Sequence, residues 1–529
     1  MLISPPFGGG RAPVLAKNTV ASSQPLATQA GIEALQNGGN AVDAALATAI
    51  TLTVVEPTMN GLGGDGFAIL WDGKQIHGLN ASGRAPAAWT PEYFDGKTAM
   101  DLIGWNTVTV PGMVSGWVEL SKKFGKLPFA QLFKRAIDYA ENGFPVSPVI
   151  ARQWREAIPI LKNQPGFAES FLIDGKAPQA GQIWRFPAQA NTLQEIAATQ
   201  GESFYKGALA KSMVDFAQSS GGCFTMRDFA DNKPDWVEPL AFDYGDYTLL
   251  EIPPNGSGIA AQMALGILQA ANVKQYPANS AQRIHLQIEA MRLAFADAYA
   301  YVSDSRSMSI PVTNLLNQDY LVSRAALIDH HKAGSYSAGD PHCGGTVYLC
   351  AADESGMMIS YIQSNFKGFG SGVVAPGGIA FHNRGMSFSL QDGHPNQVSP
   401  GKRPFHTILP AFLTKNGKPA MAFGVMGGNM QPQGHIQFVM RFVDEYLNPQ
   451  ACSDAPRWRI DDLGKLTVEA SMPTSVVEGL RAMGHEVAVQ PANSLDFGSA
   501  QAIAKLSDED QSAYIAGSDH RRDGLAAGF

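Results

Sequence analysis

The run from Ala41 to Val55 constrains this chain most: apart from Asp43 and three threonines it is apolar. It falls short of the roughly 20 residues that cross a bilayer. It therefore reads as a buried helix, which needs protein packed around it. With 529 residues, 45% hydrophobic and 16% charged, the chain can build such a core as one large domain or two closely packed ones.

The flanking sequence supports that helix. Pro25 to Gln36 opens at a proline and closes into Asn37-Gly38-Gly39, the start and stop chemistry of a preceding helix. Glu56-Pro57 ends the apolar helix, because a residue before proline is pushed away from helical angles. The loop Gly61 to Gly66 then leads into a strand, Phe67 to Trp71. Further helices are expected at Pro128 to Asn142, Gly258 to Ala271 and Ala281 to Val302. From Gly344 the texture becomes extended, with strands Thr346 to Ala352 and Met357 to Ser364 joined by a hairpin turn at Asp353-Glu354-Ser355-Gly356. A glycine-rich loop at Gly368 to Gly378, a strand near Ile408 to Leu413, a glycine cluster at Gly424 to Gly428 and a helix from about Gly434 to Leu447 follow. There is no internal repeat and no low-complexity linker.

Several functions are disfavoured. The formal charge of -8 is spread without runs of either sign, so no nucleic-acid partner is expected. Met1 to Val14 lacks the basic start and apolar run of a secretory signal, and Cys223, Cys343, Cys350 and Cys452 show no paired spacing. A reducing cytoplasm and no membrane contact are the expectation. Gly61-Leu62-Gly63-Gly64-Asp65-Gly66 has dinucleotide-loop spacing, but that fingerprint must follow a strand and open a helix. Here a helix precedes and a strand follows, which makes it a structural turn. Adjacent His330 and His331 point apart, and no histidine pair shows helical zinc spacing with a third ligand. No metal and no cofactor are expected.

Gly344-Gly345-Thr346 is different. Two residues without side chains permit a strained backbone before a hydroxyl that could attack its own preceding carbonyl. Taken alone, the signal is weak, because most such triplets are turns entering strands.

Long stretches resolve that ambiguity by resemblance. They are Gly38-Gly39-Asn40-Ala41-Val42-Asp43-Ala44-Ala45, Gly61 to Gly66, Glu289-Ala290-Met291-Arg292-Leu293-Ala294-Phe295-Ala296-Asp297, Phe369-Gly370-Ser371-Gly372, Arg403-Pro404 and Gly517-Ser518-Asp519-His520-Arg521-Arg522-Asp523-Gly524. From near residue 18 to the last residues, the chain resembles the gamma-glutamyltransferase family of N-terminal-nucleophile (Ntn) hydrolases. The resemblance implies an α+β fold, the four-layer αββα sandwich with two stacked sheets between helical layers. It implies self-cleavage between Gly345 and Thr346 into a large chain, 1–345, and a small chain, 346–529, which stay associated as one unit. The freed α-amino group of Thr346, with an ordinary pKa of about 7.7 to 8.0, would serve as general base for its own hydroxyl. Ser364 aligns with a supporting hydroxyl. Gly427 and Gly428 align with the oxyanion-holding glycines, whose donors are worth about 3 to 4 kcal/mol each in comparable sites.

The substrate pocket departs from the family pattern. Thr407 aligns with one of two serines that contact the substrate carboxylate, while His406 replaces the other. Phe366 stands where transpeptidases carry an asparagine, with Asn365 one residue early. Arg384 and Ser387 replace the glutamine and aspartate that grip the glutamyl ammonium, and the carboxylate-binding arginine falls at Pro91, with Arg84 nearby in sequence. Losing an acid and gaining a cation reverses the electrostatic preference: an ammonium would meet Arg384 without a partner. A guanidinium suits a carboxylate beside the scissile amide, with His406 and Thr407 completing a clamp; the alternative is an Arg384 that faces solvent or pairs with an internal acid. Ile362 to Gly372 is similar to the cytosolic amidase and acylase branch of the family, which takes in oxamate amidohydrolase and cephalosporin acylases. The expected activity is hydrolysis of a small anionic amide, oxamate fitting best. Rival readings are a gamma-glutamyl hydrolase or transpeptidase, a cephalosporin-type acylase, and an unprocessed small-molecule binding protein. Self-association into a homo-oligomer stays open.

Overall fold

The apolar run folds as expected into the helix Ala41–Val55, and all 15 of its residues are buried. Its polar groups are satisfied locally. Asn40 accepts from the Val42 and Asp43 N–H groups, and the Asp43 carboxylate accepts from Asn40, Lys126 and Leu127. Thr48, Thr51 and Thr53 donate to carbonyls one turn back, each at 2.7 Å. The helix Pro25–Gln36 packs beside it. Gly31 permits the approach, because a Cβ there would lie 2.2 Å from Thr48 Oγ1.

The computed structural model describes residues 10–334, 336, 345–461, 463–507 and 513–529. Gly344, Cys343 and most of the N-terminal segment therefore lie outside the described residues. Two seven-stranded sheets form the centre, with antiparallel pairing throughout. One runs Val14–Ala16, Tyr514–Ser518, Ser499–Lys505, Lys418–Met426, Ala411–Lys415, Tyr247–Glu251, Leu240–Tyr244. The other runs Leu525–Gly528, Thr19–Ser22, Gly345–Ala352, Met358–Phe366, Asp65–Trp71, Ile76–Ala81, Asp235–Val237. The strand Gly345–Ala352 packs across onto Lys418–Met426 and Ser499–Lys505. At that interface Gly424 is required, since a Cβ would lie 2.5 Å from the Tyr348 ring. Helices Pro25–Gln36 and Ala41–Val55 cover the second sheet, while Ile259–Ala270 and Met430–Asp444 cover the first, with Ala281–Tyr301 against Ile259–Ala270. This is the expected four-layer αββα sandwich.

The two larger hydrophobic cores among the described residues draw on residues from before and after Gly345. One joins Val20, Leu52 and Trp117 to Val347 and Ile362; the other joins Leu265 and Met291 to Phe423 and Val439. Burying each such side chain is worth about 1.5–3 kcal/mol, and neither half of the chain completes either core alone.

Some boundaries differ from the sequence expectation. Pro128 to Asn142 divides into a 3-10 turn, Phe129–Phe133, and the helix Lys134–Asn142. The expected strand at Ile408 begins only at Ala411, because Pro410 has no ladder donor and the Leu409 N–H bonds the Gln431 side chain. The helix expected from Gly434 starts at Met430. Gly434 is interior and lets the helix approach the sheet, where a Cβ would lie 2.5 Å from Val425 Cγ1.

Candidate functional site

Thr346 is the second residue of its strand and is fully buried. The register shifts between Gly345, which faces Phe366, and Val347, which faces Gln363, so the threonine sits at an irregularity in an otherwise regular ladder. Its Oγ1 accepts a 3.0 Å hydrogen bond from Gln431 Nε2, while Gln431 Oε1 accepts from the Leu409 N–H at 2.8 Å. Both ends of the amide are thereby engaged. Gln431 lies in the first turn of Met430–Asp444, and its own N–H donates to the Gly428 carbonyl at 3.0 Å. Gly427 and Gly428, with φ of +124° and +60°, form the turn that feeds this helix. Only glycine adopts two such angles in succession without steric cost, and the helix start brings partial positive charge to the threonine.

Ser364 lies on the neighbouring strand, paired with Asp65, and its Oγ accepts from the Phe366 N–H at 2.6 Å. Phe366 has φ of +77°, a costly conformation for an aromatic residue. Its ring stacks on Arg384, whose guanidinium carbon lies 3.8 Å from the ring centroid. The guanidinium is only 1% exposed, so it does not face solvent. Nη1 donates to Thr407 Oγ1 at 2.9 Å, Nη2 has no acceptor, and among the described residues Arg384 forms no ion pair. Burial pushes its pKa down to about 9, against the pull of the Asp65 carboxylate. At neutral pH it stays a cation.

Asp65 organises the groups behind that cation. Oδ1 accepts from the Gly83 and Gly112 N–H groups at 2.9 and 3.1 Å, and Oδ2 lies 3.1 Å from His406 Nε2. Burial raises its pKa, but His382, His406 and Arg384 outweigh burial and hold it at about 2. Burial, then the Arg384 charge, pushes His406 to about 3. Burial likewise dominates at His382, pushing it to about 4 although Asp65 opposes the shift. Both imidazoles are neutral under physiological conditions.

Of the residues singled out in the sequence, Thr346 meets Gln431, which adjoins Gly427 and Gly428, and Arg384 meets Thr407. Asn365 is fully buried beneath Gly61 and Gly64, and neither atom of its amide has a hydrogen-bond partner. Ser387 lines a cleft of about 320 Å³ together with Met386, Thr407, Asn396 and Asn429. His406 and Arg84 have partners within the protein: His406 Nε2 faces Asp65 and its Nδ1 accepts from the Ile408 N–H at 3.4 Å. Arg84 belongs to a separate ion cluster with Asp235 and Asp304, beside Arg306 and Arg403. Gln431, Asp65 and His382 escaped sequence reasoning; the position of Gln431 just after the glycine pair was the one local hint.

His285, Glu289 and His485 converge so that one ligand atom from each lies within 4.8 Å of the others. Among the described residues no helix is long and apolar enough to cross a membrane.

Two stacked sheets between helical layers, with a buried threonine near the start of a central strand, define an Ntn hydrolase, an amide-cleaving enzyme class. The gamma-glutamyltranspeptidase family model matches residues 27–529, and the chain belongs to that family. It is 35% identical over 523 residues to the glutathione hydrolase-like YwrD proenzyme of Bacillus subtilis (strain 168), covering 97% of this chain and 98% of that protein. It is 35% identical over 518 residues to the oxamate amidohydrolase proenzyme of Klebsiella pneumoniae, covering 95% and 97%. The crystal structure of cephalosporin acylase from Bacillus halodurans superposes with a TM-score of 0.93 at 44% identity, covering 100% of this chain and 99% of that one.

Proposed function

We propose that the chain is a proenzyme that cuts itself between Gly345 and Thr346, then hydrolyses a small anionic amide, with oxamate the best candidate. The Thr346 hydroxyl attacks the Gly345 carbonyl, the peptide shifts from nitrogen to oxygen, and water hydrolyses the ester to leave two chains and a free α-amino group. That amine takes the hydroxyl proton as Thr346 attacks a substrate amide. The Gly427 and Gly428 N–H groups hold the tetrahedral oxyanion, and Ser364 supports the nucleophile. Nitrogen departs as ammonia, and water releases the acid from Thr346. The "proenzyme" descriptions of the relatives support this order of events.

One observation carries the substrate class: Arg384 is a buried cation whose Nη2 has no acceptor, beside the Thr407 hydroxyl. An unpaired buried donor on a charged group is costly, and a carboxylate adjoining the scissile carbonyl satisfies it. Asn365, its amide unpaired, is the second polar group offered to a short substrate. The acylase reading also has support, from the 44% identity to a cephalosporin acylase and the cleft beside Thr407. The test is ammonia release from oxamate by processed enzyme, with a gamma-glutamyl anilide and a cephalosporin amide in parallel and Thr346→Ala as control. Thr346-dependent turnover of oxamate above the others supports the reading. Turnover of the bulky amide alone transfers it to the acylases, and turnover of the anilide alone to gamma-glutamyl hydrolysis.

A further inference from the structure

On the helix Ala281–Tyr301, His285 and Glu289 stand one turn apart, and both side chains are fully buried. The chain returns at His485, 5% exposed, and places Nε2 2.7 Å from His285 Nδ1. The other His285 nitrogen, Nε2, lies 2.8 Å from the Asp329 carbonyl. A carbonyl only accepts, so His285 carries its proton on Nε2, and Nδ1 presents a lone pair. The His485 Nε2–H therefore donates to it, which leaves His485 Nδ1 as a buried acceptor without a partner. Glu289 Oε2 accepts from the Gly334 N–H at 2.7 Å, and its Oε1 has no hydrogen-bond partner.

We propose that His285 Nδ1, His485 Nε2 and a Glu289 carboxylate oxygen bind a divalent transition metal of the zinc type. Two imidazoles and one carboxylate are a zinc-like donor set, with water or the nearby Tyr336 hydroxyl as fourth ligand. The bond from His285 to the Asp329 carbonyl is the outer contact that fixes the tautomer and orientation of a ligating histidine. Binding moves the His485 proton from Nε2 to Nδ1, so both facing lone pairs point at the ion and no proton is lost from the pair. Arg292 lies 3.7 Å from Glu289 Oε1; its side chain is 24% exposed and turns toward solvent when the metal enters. A larger consequence rests on the proposed cleavage. His285 and Glu289 then belong to the large chain and His485 to the small one, so the metal ties the two together.

Wild-type protein, Thr346→Ala, His285→Gln and His485→Gln are stripped with chelator, dialysed against zinc, desalted and analysed for bound metal, with cobalt(II) loading followed by visible absorption. The expected result is about one zinc per chain, and a four-coordinate cobalt spectrum, in both wild type and Thr346→Ala. Each glutamine variant should bind zinc at least roughly tenfold more weakly. Thr346→Ala remains one chain if the cleavage proposal holds, so metal retained there separates the site from processing. A wild-type protein without zinc overturns the proposal, whether or not the glutamine variants fold. Equal zinc in wild type and both folded glutamine variants overturns it as well.

Discussion

Gln431 Nε2 lies 3.0 Å from Thr346 Oγ1, and the same amide accepts from the Leu409 backbone at 2.8 Å. The side chain links the helix carrying the glycine turn to the threonine strand of the opposite sheet. Its Nε2 donates to the Thr346 oxygen from the helix side. Gln431 acts as a positioning residue, and two substitutions isolate its donor.

Gln431→Leu removes the donor to Thr346 and leaves the Leu409 N–H unsatisfied; Gln431→Glu restores an acceptor for Leu409 but not the donor. Losing one such bond costs about 0.5–1.5 kcal/mol. Self-cleavage should slow roughly tenfold in both variants, with Gln431→Leu also losing thermal stability. A cleavage time course on denaturing gels reads the first effect and a melting curve the second. Wild-type cleavage rates in both variants would remove Gln431 from the account.

Arg384→Met keeps much of the volume over Phe366 and removes the charge. Truncating one partner of a buried, hydrogen-bonded charge pair costs about 2–5 kcal/mol, so kcat/KM for an anionic amide should fall by at least roughly thirtyfold. An uncharged amide should lose far less. Arg384→Lys keeps the charge without the planar fork and should fall between. Equal losses on charged and neutral substrates would contradict the carboxylate assignment.

Stability should fall in acid through His382 and His406. Both have depressed pKa values in the folded protein, about 4 and about 3, against about 6.5 when unfolded. Below pH 6.5 the unfolded chain binds more protons at these sites, so unfolding is favoured progressively until the folded values are reached. Urea midpoints measured from pH 7.5 down to pH 4 should decrease, and His406→Asn should flatten the decline. A midpoint independent of pH across that range would contradict the neutral, buried state of both rings.

Gly424→Ala tests the packing between the sheets. A Cβ would lie 2.5 Å from the Tyr348 ring, whose hydroxyl is held 2.7 Å from Ser360 Oγ. Overpacking of this kind costs about 1–3 kcal/mol, visible as a lowered melting temperature, with the cleaved fraction unchanged once the protein is folded.

Local signals carried much of the fold. Pro25–Gln36 and Ala41–Val55 match the sequence reading to the residue because their ends are written in adjacent proline, asparagine and glycine. Gly434 misled because a packing glycine inside a helix resembles a boundary. Thr346, Arg384 and Thr407 came from family resemblance; no spacing in the chain announces that Arg384 and Thr407 meet. Asp65 and Gln431 were illegible because their roles arise only when distant segments meet. Likewise His285 and Glu289 show helical spacing, while His485 joins them from the far end of the chain.

The most direct test of the central claim is the intact mass of purified wild-type protein beside Thr346→Ala under denaturing conditions. The account predicts two wild-type species with the masses of 1–345 and 346–529, the smaller beginning with an unblocked Thr346, and a single uncut chain for Thr346→Ala. A wild-type protein that remains one chain while hydrolysing amides, or one cut elsewhere, would contradict Thr346 as the self-generated nucleophile.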